Sequence, residues 1–305
     1  MAFFKKPKKQ RWSIITSAPH GEAGRQWGDY WFAQDLVAAL NAEGVAAKAY
    51  SRAGLKLPDI AGSTDPDHVV LILRGLRQML PNNPNLIWLL WVISHPELIE
   101  PGEATQFKRS FAASEHWTPA PELGSFTPLL QATNTERFHP IAHPRRDGVL
   151  FVGSTRGLYR QIVKDAVAQG IPLNLYGVGW TEFVDRSLIA GEFLDNADLP
   201  QAYANAAIVL NDHHRDMADN GFLSNRLFDA VAAGARVVSD PALGLAEVFG
   251  SSVFQYESAD QLGEIITNPD SFFPVEQVVR DQERIRIEHN FAVRAQVLIQ
   301  AANND

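Results

Sequence analysis

The chain has 305 residues, 46% of them hydrophobic, which is length enough for two domains of ordinary size and a composition typical of a globular protein. A formal net charge of −8 argues against wholesale nucleic-acid binding, and the absence of cysteine excludes a disulfide scaffold or thiolate metal site and fits a reducing compartment. No run reaches membrane-spanning length and MAFFKKPKKQR lacks the apolar stretch of a signal peptide, so a cytoplasmic location is expected. The basic tail of Lys5, Lys6, Lys8, Lys9 and Arg11 reads either as a solvated terminus or as a contact for a polyanion, which would place the protein peripherally at an anionic membrane.

In chain order, residues 12–16 read as a first strand, followed by a Gly-containing loop over 17–28. A helix follows over 29–42, with Tyr30, Ala33, Val37 and Leu40 on its inner face and Gly44 as its stop. Residues 45–50, 68–73, 86–93 and 111–113 supply further strands, and the alternation of strand and helix argues for a parallel sheet covered on both faces. Residues 119–144 are rich in Pro, Thr and His, lack periodicity, and form the candidate interdomain connection. A second alternation places strands at 149–152, 173–176, 208–210, 236–238 and 253–255, and a long charged helix is predicted over about 275–301.

The segment NGFLSNRLFDAVAAGARVVSD, residues 220–240, compresses a loop, a helix, a turn and a strand. Leu227, Phe228, Val231 and Ala232 recur at helical spacing, Ser224 or Asn225 can cap the start, and Gly234 ends the helix. Arg226 falls in the first turn, where a cation opposes the helix dipole unless an anion lies nearby. Asp229 lies three residues on, on the same face. The two side chains either share a nucleotide, guanidinium on phosphate and carboxylate on sugar hydroxyls, or form an ordinary surface pair.

From Asn225 to Asp240 the segment resembles the donor-binding unit of the GT-B glycosyltransferases, specifically the group-1 subset that includes the spore-maturation-protein-like enzymes, with the pattern N-R-x-F-E/D-A-x-A-x-G-x-x-V-x-S-D. WGDYWFAQDLVAAL from Trp27, VISHPELI from Val92, VLFVGSTRGLYR from Val149, LYGVGW from Leu175 and LPQAYANAAIVLNDHH from Leu199 follow in the family's order. The resemblance implies an α/β GT-B fold of two Rossmann-like domains facing across a crevice. Residues 11–140 would form the acceptor-side domain, 148–275 the nucleotide-sugar domain, and 276–305 a helix packing back toward the first. It implies a hexosyltransferase-type enzyme moving a sugar from a nucleotide diphosphate donor, with no cofactor and no metal. The acceptor stays open among glycan, lipid, metabolite, protein and modified nucleobase.

Within that resemblance, Gly153 and Ser154 form a turn that could cradle phosphate or be a plain βα turn, and Arg160 matches the family's recurrent arginine. Tyr176, Gly177, Gly179 and Trp180 resemble the base-binding loop, with Trp180 either core or stacked on the base. Asn225, Arg226 and Asp229 complete the donor set. In the first domain His95, at the end of an apolar strand, is the preferred base or sugar contact. Asp29 competes for the role, although an N-cap would also explain it, and His20 and Arg25 are acceptor-side candidates. One departure stands out. Many retaining enzymes carry a first glutamate where this chain has Gly221, with Asp219 or Asn220 the nearest substitutes. The run Asp65-Pro66-Asp67 copies a metal-binding D-x-D but reads as a turn, and Asp212-His213-His214-Arg215-Asp216 lacks metal-ligand spacing. An epimerase of the same fold and a catalytically silent nucleotide-sugar-binding protein are the alternative functions.

Overall fold

The computed structural model describes residues 10–304, which fall into two units: 10–130 together with 291–304, and 131–290. Lys5, Lys6, Lys8 and Lys9 of the basic tail lie outside the described residues. Arg11 does not belong to a tail, because it opens the first strand and donates through Nη2 to His68 Nδ1 at 2.9 Å.

In the first unit the strands are β1 (Arg11–Ile15), β2 (Ala46–Tyr50), β3 (Val69–Arg74), β4 (Ile87–Val92), β5 (Arg109–Ala112) and β6 (Thr127–Pro128). They form one parallel sheet in the order β2-β1-β3-β4-β5-β6. The central strands β3 and β4 are continuous apolar runs, VVLILR and IWLLWV, as strands buried on both faces should be. The helix Gly28–Ala42 turns Phe32, Ala33, Leu36 and Leu40 inward. Phe32 meets Phe291 edge-on at 4.8 Å between ring centroids, so the last helix, Phe291–Asn303, is part of this unit. Arg294 donates to the Leu130 carbonyl at 2.7 Å and Lys108 to that of Ala302 at 3.0 Å, tying the chain's end to the same sheet.

The second unit has β7 (Val149–Val152), β8 (Leu173–Tyr176), β9 (Ile189–Gly191), β10 (Ile208–Asn211), β11 (Val237–Ser239) and β12 (Val253–Gln255). Its parallel order is β12-β11-β10-β7-β8-β9, which counted from β7 reads 3-2-1-4-5-6, the dinucleotide-fold order. The first sheet instead begins 2-1-3-4, the flavodoxin-like order.

Two edge strands, β6 and β9, escape the sequence pattern because two or three residues with a Pro or Gly carry no alternation. The single helix expected over 276–305 is two helices, Val275–Glu288 and Phe291–Asn303, and only the second joins the first unit. Asn290 causes the break. Its Nδ2 donates to the carbonyls of Arg286 and Ile287 at 2.8 and 2.9 Å, giving the last turn of the first helix the partners that a continuing backbone would supply.

Candidate functional site

Ligands of parallel α/β sheets bind beyond the carboxyl ends of the strands, where the strand order reverses. In the second unit that point lies between β7 and β10, and the sequence's donor candidates gather there. Gly153 and Ser154 follow β7, and Asn211, Asp212 and His213 end β10. Arg160 bridges the two: its Nε donates to Asp212 Oδ2 at 2.7 Å and its Nη1 to the Ser154 carbonyl at 3.0 Å. Arg226 reaches the same place from the helix Asn225–Ala232, donating to Asn211 Oδ1 at 2.9 Å.

Both guanidinium groups lie over the Phe151 ring, 4.7 and 5.3 Å from its centroid. Gly153 makes the approach possible, since a Cβ there would stand 2.8 Å from Arg160 Nη1 and 3.0 Å from Arg226 Nη2. Burial, then the neighbouring Arg226 and Arg156, lower the pKa of Arg160, and burial followed by Arg226 brings Arg156 down to about 10. Asp212 balances Arg160. Asp240 is engaged by His213, which meets Oδ1 through Nδ1 at 2.7 Å and donates its backbone N–H to Oδ2 at 2.9 Å. Arg226 also lies against the Tyr203 phenol, whose pKa burial pushes up to about 12. The cluster thus holds cations that repel one another at the start of a helix.

Ser224 occupies the N-cap position of that helix but does not cap it; its Oγ donates to Asn211 Oδ1 at 3.0 Å instead. The first-turn amides therefore receive no side-chain cap. Asp229 is committed differently from Arg226. Asn225 Nδ2 and Thr133 Oγ1 donate to its two oxygens, each at 2.8 Å.

The Tyr176 to Trp180 loop supports the phosphate turn. Gly153 donates its N–H to the Tyr176 carbonyl at 2.7 Å. Gly177 has φ 140° and lies so close that an added Cβ would be 2.3 Å from the Gly153 carbonyl oxygen, and at Gly179 it would meet Thr155 Oγ1 at 2.4 Å. Of the two readings of Trp180, core or stacked on the base, the structure shows the core one. The residue is 1% exposed, packs edge-on against Phe151, and donates Nε1–H to the Gly153 carbonyl, so its whole ring is spent on the core.

In the first unit the strand order reverses between β1 and β3. Ser17 and Gly75 follow these strands, and a Cβ on Gly75 would lie 3.3 Å from Ser94 Oγ and 3.5 Å from Ser17 Oγ. Asp29 belongs to this group. Burial raises its pKa to about 6, outweighing the nearby N–H groups of Ser17, Tyr30 and Ala18, and Oδ1 makes no hydrogen bond of normal geometry. The capping role expected for Asp29 does not hold, because Trp27 is the N-cap of Gly28–Ala42 and no side chain caps that helix.

His95 follows β4 with φ 54° and ψ 59°, a left-handed conformation uncommon outside Gly, Asn and Asp. His20 is exposed, and Arg25 forms a solvent-facing pair with Glu22 at 3.7 Å. Of the substitutes for the missing glutamate, Asp219 accepts from Arg215 at 2.7 Å on the surface and Asn220 donates to the Asp216 carbonyl at 2.8 Å, while Gly221 itself has φ 70°. Asp65 accepts from the N–H of Asp67 within its own turn.

Sequence reasoning missed Arg156, Tyr203 and Thr133. Arg156 stood in the quoted STRGLYR, but its left-handed φ of 60° is set by the fold and has no sequence signature.

The glycosyl transferase-like family model matches residues 154–300. No curated protein matches the chain in sequence. Among solved structures, AviGT4, a glycosyltransferase involved in avilamycin A biosynthesis, is 16% identical with a TM-score of 0.63, covering 95% of this chain and 96% of its own. Sucrose-phosphate synthase from Thermosynechococcus elongatus is 14% identical with a TM-score of 0.64, covering 96% and 98%. The T4 phage BGT in complex with UDP and Mn2+ is 10% identical with a TM-score of 0.60, covering 96% and 99%. With two six-stranded parallel sheets and these structural relatives, the protein has the GT-B fold, and residues 154–300, most of the second unit, are similar to the glycosyl transferase-like family.

Proposed function

We propose that the protein transfers a sugar from a nucleoside diphosphate donor held at the β7 and β10 ends of the second unit, without a metal ion, to an acceptor activated by Asp29. The carrying observation is the convergence of Arg160 and Arg226 over Phe151, with Arg156 beside them, at the uncapped start of a helix. A diphosphate relieves three costs there: the mutual repulsion of the arginines, the desolvation of Arg160 and Arg226, and the missing cap. The same fixed charge can stabilise the departing diphosphate, the task a divalent cation performs elsewhere.

Asp29 is the better base than His95 on chemical grounds. A carboxylate whose pKa is lifted to about 6, with one oxygen lacking a partner, can accept the acceptor hydroxyl's proton near neutral pH. His95, in its left-handed turn, takes the role of positioning sugar or acceptor. Nucleotide sugars built on UDP are the first donors to test, since structural relatives have been solved with UDP or UDP-glucose.

Calorimetric titration with UDP, GDP, dTDP and CDP checks the donor site. One nucleotide should bind with unchanged affinity in EDTA, and Arg226→Ala should weaken it about ten- to a hundredfold, the usual loss of a charge-assisted contact. Wild-type affinity in the variant removes the site assignment, and loss of binding in EDTA removes the metal-independence.

A further inference from the structure

The second unit contains a recess of about 260 Å³ that shares no residue with the donor cluster. Pro140, Ile141, Pro144 and Val279 supply an apolar lining, and Arg146 and Arg286 supply charge. Glu283 is the one carboxylate in the lining, so the guanidinium groups outnumber it. Their states differ. Arg146, with φ 55°, donates to the Gly234 carbonyl at 2.7 Å, and burial followed by Arg236 lowers its pKa. Arg286 makes no salt bridge among the described residues, and its Nε is buried without a hydrogen-bond partner.

A buried donor with no acceptor, beside a second cation and opening onto prolines and branched aliphatics, is a combination that folding alone does not favour. An oxyanion attached to an apolar body satisfies every part of it. We propose that this recess binds a small organic anion, a phosphate or carboxylate on an aromatic or branched aliphatic body, with Arg286 as its principal contact and Arg146 as the second cation. The anion would lie against Ala233 and Gly234 at the end of the helix that begins at Asn225. That carbonyl end repels anions, and the Arg146 hydrogen bond to Gly234 offsets the repulsion.

The probe is phenyl phosphate, titrated calorimetrically into the full chain, with phenol and inorganic phosphate as its two halves. Saturable one-to-one binding is expected, weaker by about tenfold or more with either half alone and in Arg286→Gln, the scale of one charge-assisted contact. Val279→Trp is the second variant. Val279 is 54% exposed, so the larger ring can be accommodated while it fills the opening, and binding should again fall. If Arg286→Gln fails to fold, Val279→Trp decides. Undiminished binding in the folded variants would place the anion elsewhere, at the Arg156 and Arg226 cluster first, and overturn the proposal; so would the absence of saturable binding to the wild type. Tenfold weaker binding of benzoate than of phenyl phosphate would assign the recess to phosphates, and equal binding to oxyanions in general.

Discussion

Each sheet has a point where its strand order reverses, and the chain furnishes the two points with opposite chemistry. In the second unit the segments beyond β7 and β10 carry arginines, a close-packed glycine turn and backbone amides, with Arg160 held by Asp212 and Arg226 by Asn211. In the first unit the loops beyond β1 and β3 carry hydroxyls, and the helix Gly28–Ala42 adds Asp29, a carboxyl with an unsatisfied oxygen and a raised pKa. Fixed cations suit a ligand that arrives already charged, whereas a desolvated proton acceptor suits a group that must lose a proton. The fold supplies two similar frames, and the residues at the strand ends give each a different chemistry.

The sharpest way to break this comparison is at Asp29. Asp29→Asn should lower transfer by about a hundred- to ten-thousandfold while leaving nucleotide affinity unchanged, measured by donor turnover and calorimetry. The same substitution should stabilise the fold. Asp29 titrates at about 6 in the native state against 3.8 unfolded, so the unfolded chain loses its proton first, and native stability falls as pH rises through that window. Above pH 6 the native state carries a buried carboxylate that costs up to about 3 kcal/mol. Thermal melts should therefore show Asp29→Asn more stable than wild type at pH 7.5, with the gain disappearing toward pH 4. An active variant with an unchanged melting profile would return the base role to His95.

Trp180 tests the second frame by packing rather than charge. Trp180→Ala should cost about 3–5 kcal/mol of unfolding free energy by denaturant titration, as for other buried aromatics. Trp180→Phe should keep most of the packing, lose the hydrogen bond to Gly153, and bind nucleotide within a few-fold of wild type. A large loss of affinity in Trp180→Phe with an intact fold would revive base stacking.

The smallest effect is expected at Arg25. Its pair with Glu22 is solvent-exposed, so Arg25→Ala should change stability by less than about 0.5 kcal/mol. A change confined to the KM for acceptor would then mark the loop as acceptor-binding, and an unchanged KM would remove Arg25 from that role.

Periodicity and punctuation in the sequence determined most of the architecture. Short apolar runs such as IWLLWV suit doubly buried strands better than helices, and Gly234, left-handed at φ 89°, ends its helix where the pattern stops. The donor segment was legible for the same reason: local spacing alone puts Arg226 in a first turn. The tertiary structure decided what spacing cannot encode. That Asp29 is a desolvated carboxyl rather than a cap depends on the β1 and β3 loops packed around it, and that Trp180 is core depends on Phe151, twenty-nine positions earlier in the chain. Whether Arg226 meets Asp229 or Asn211 is settled by β10, since a side chain's partners are chosen by whichever strands the topology brings alongside. Desolvation and long-range contact are properties of the assembled sheet, so they stay silent until the chain is folded.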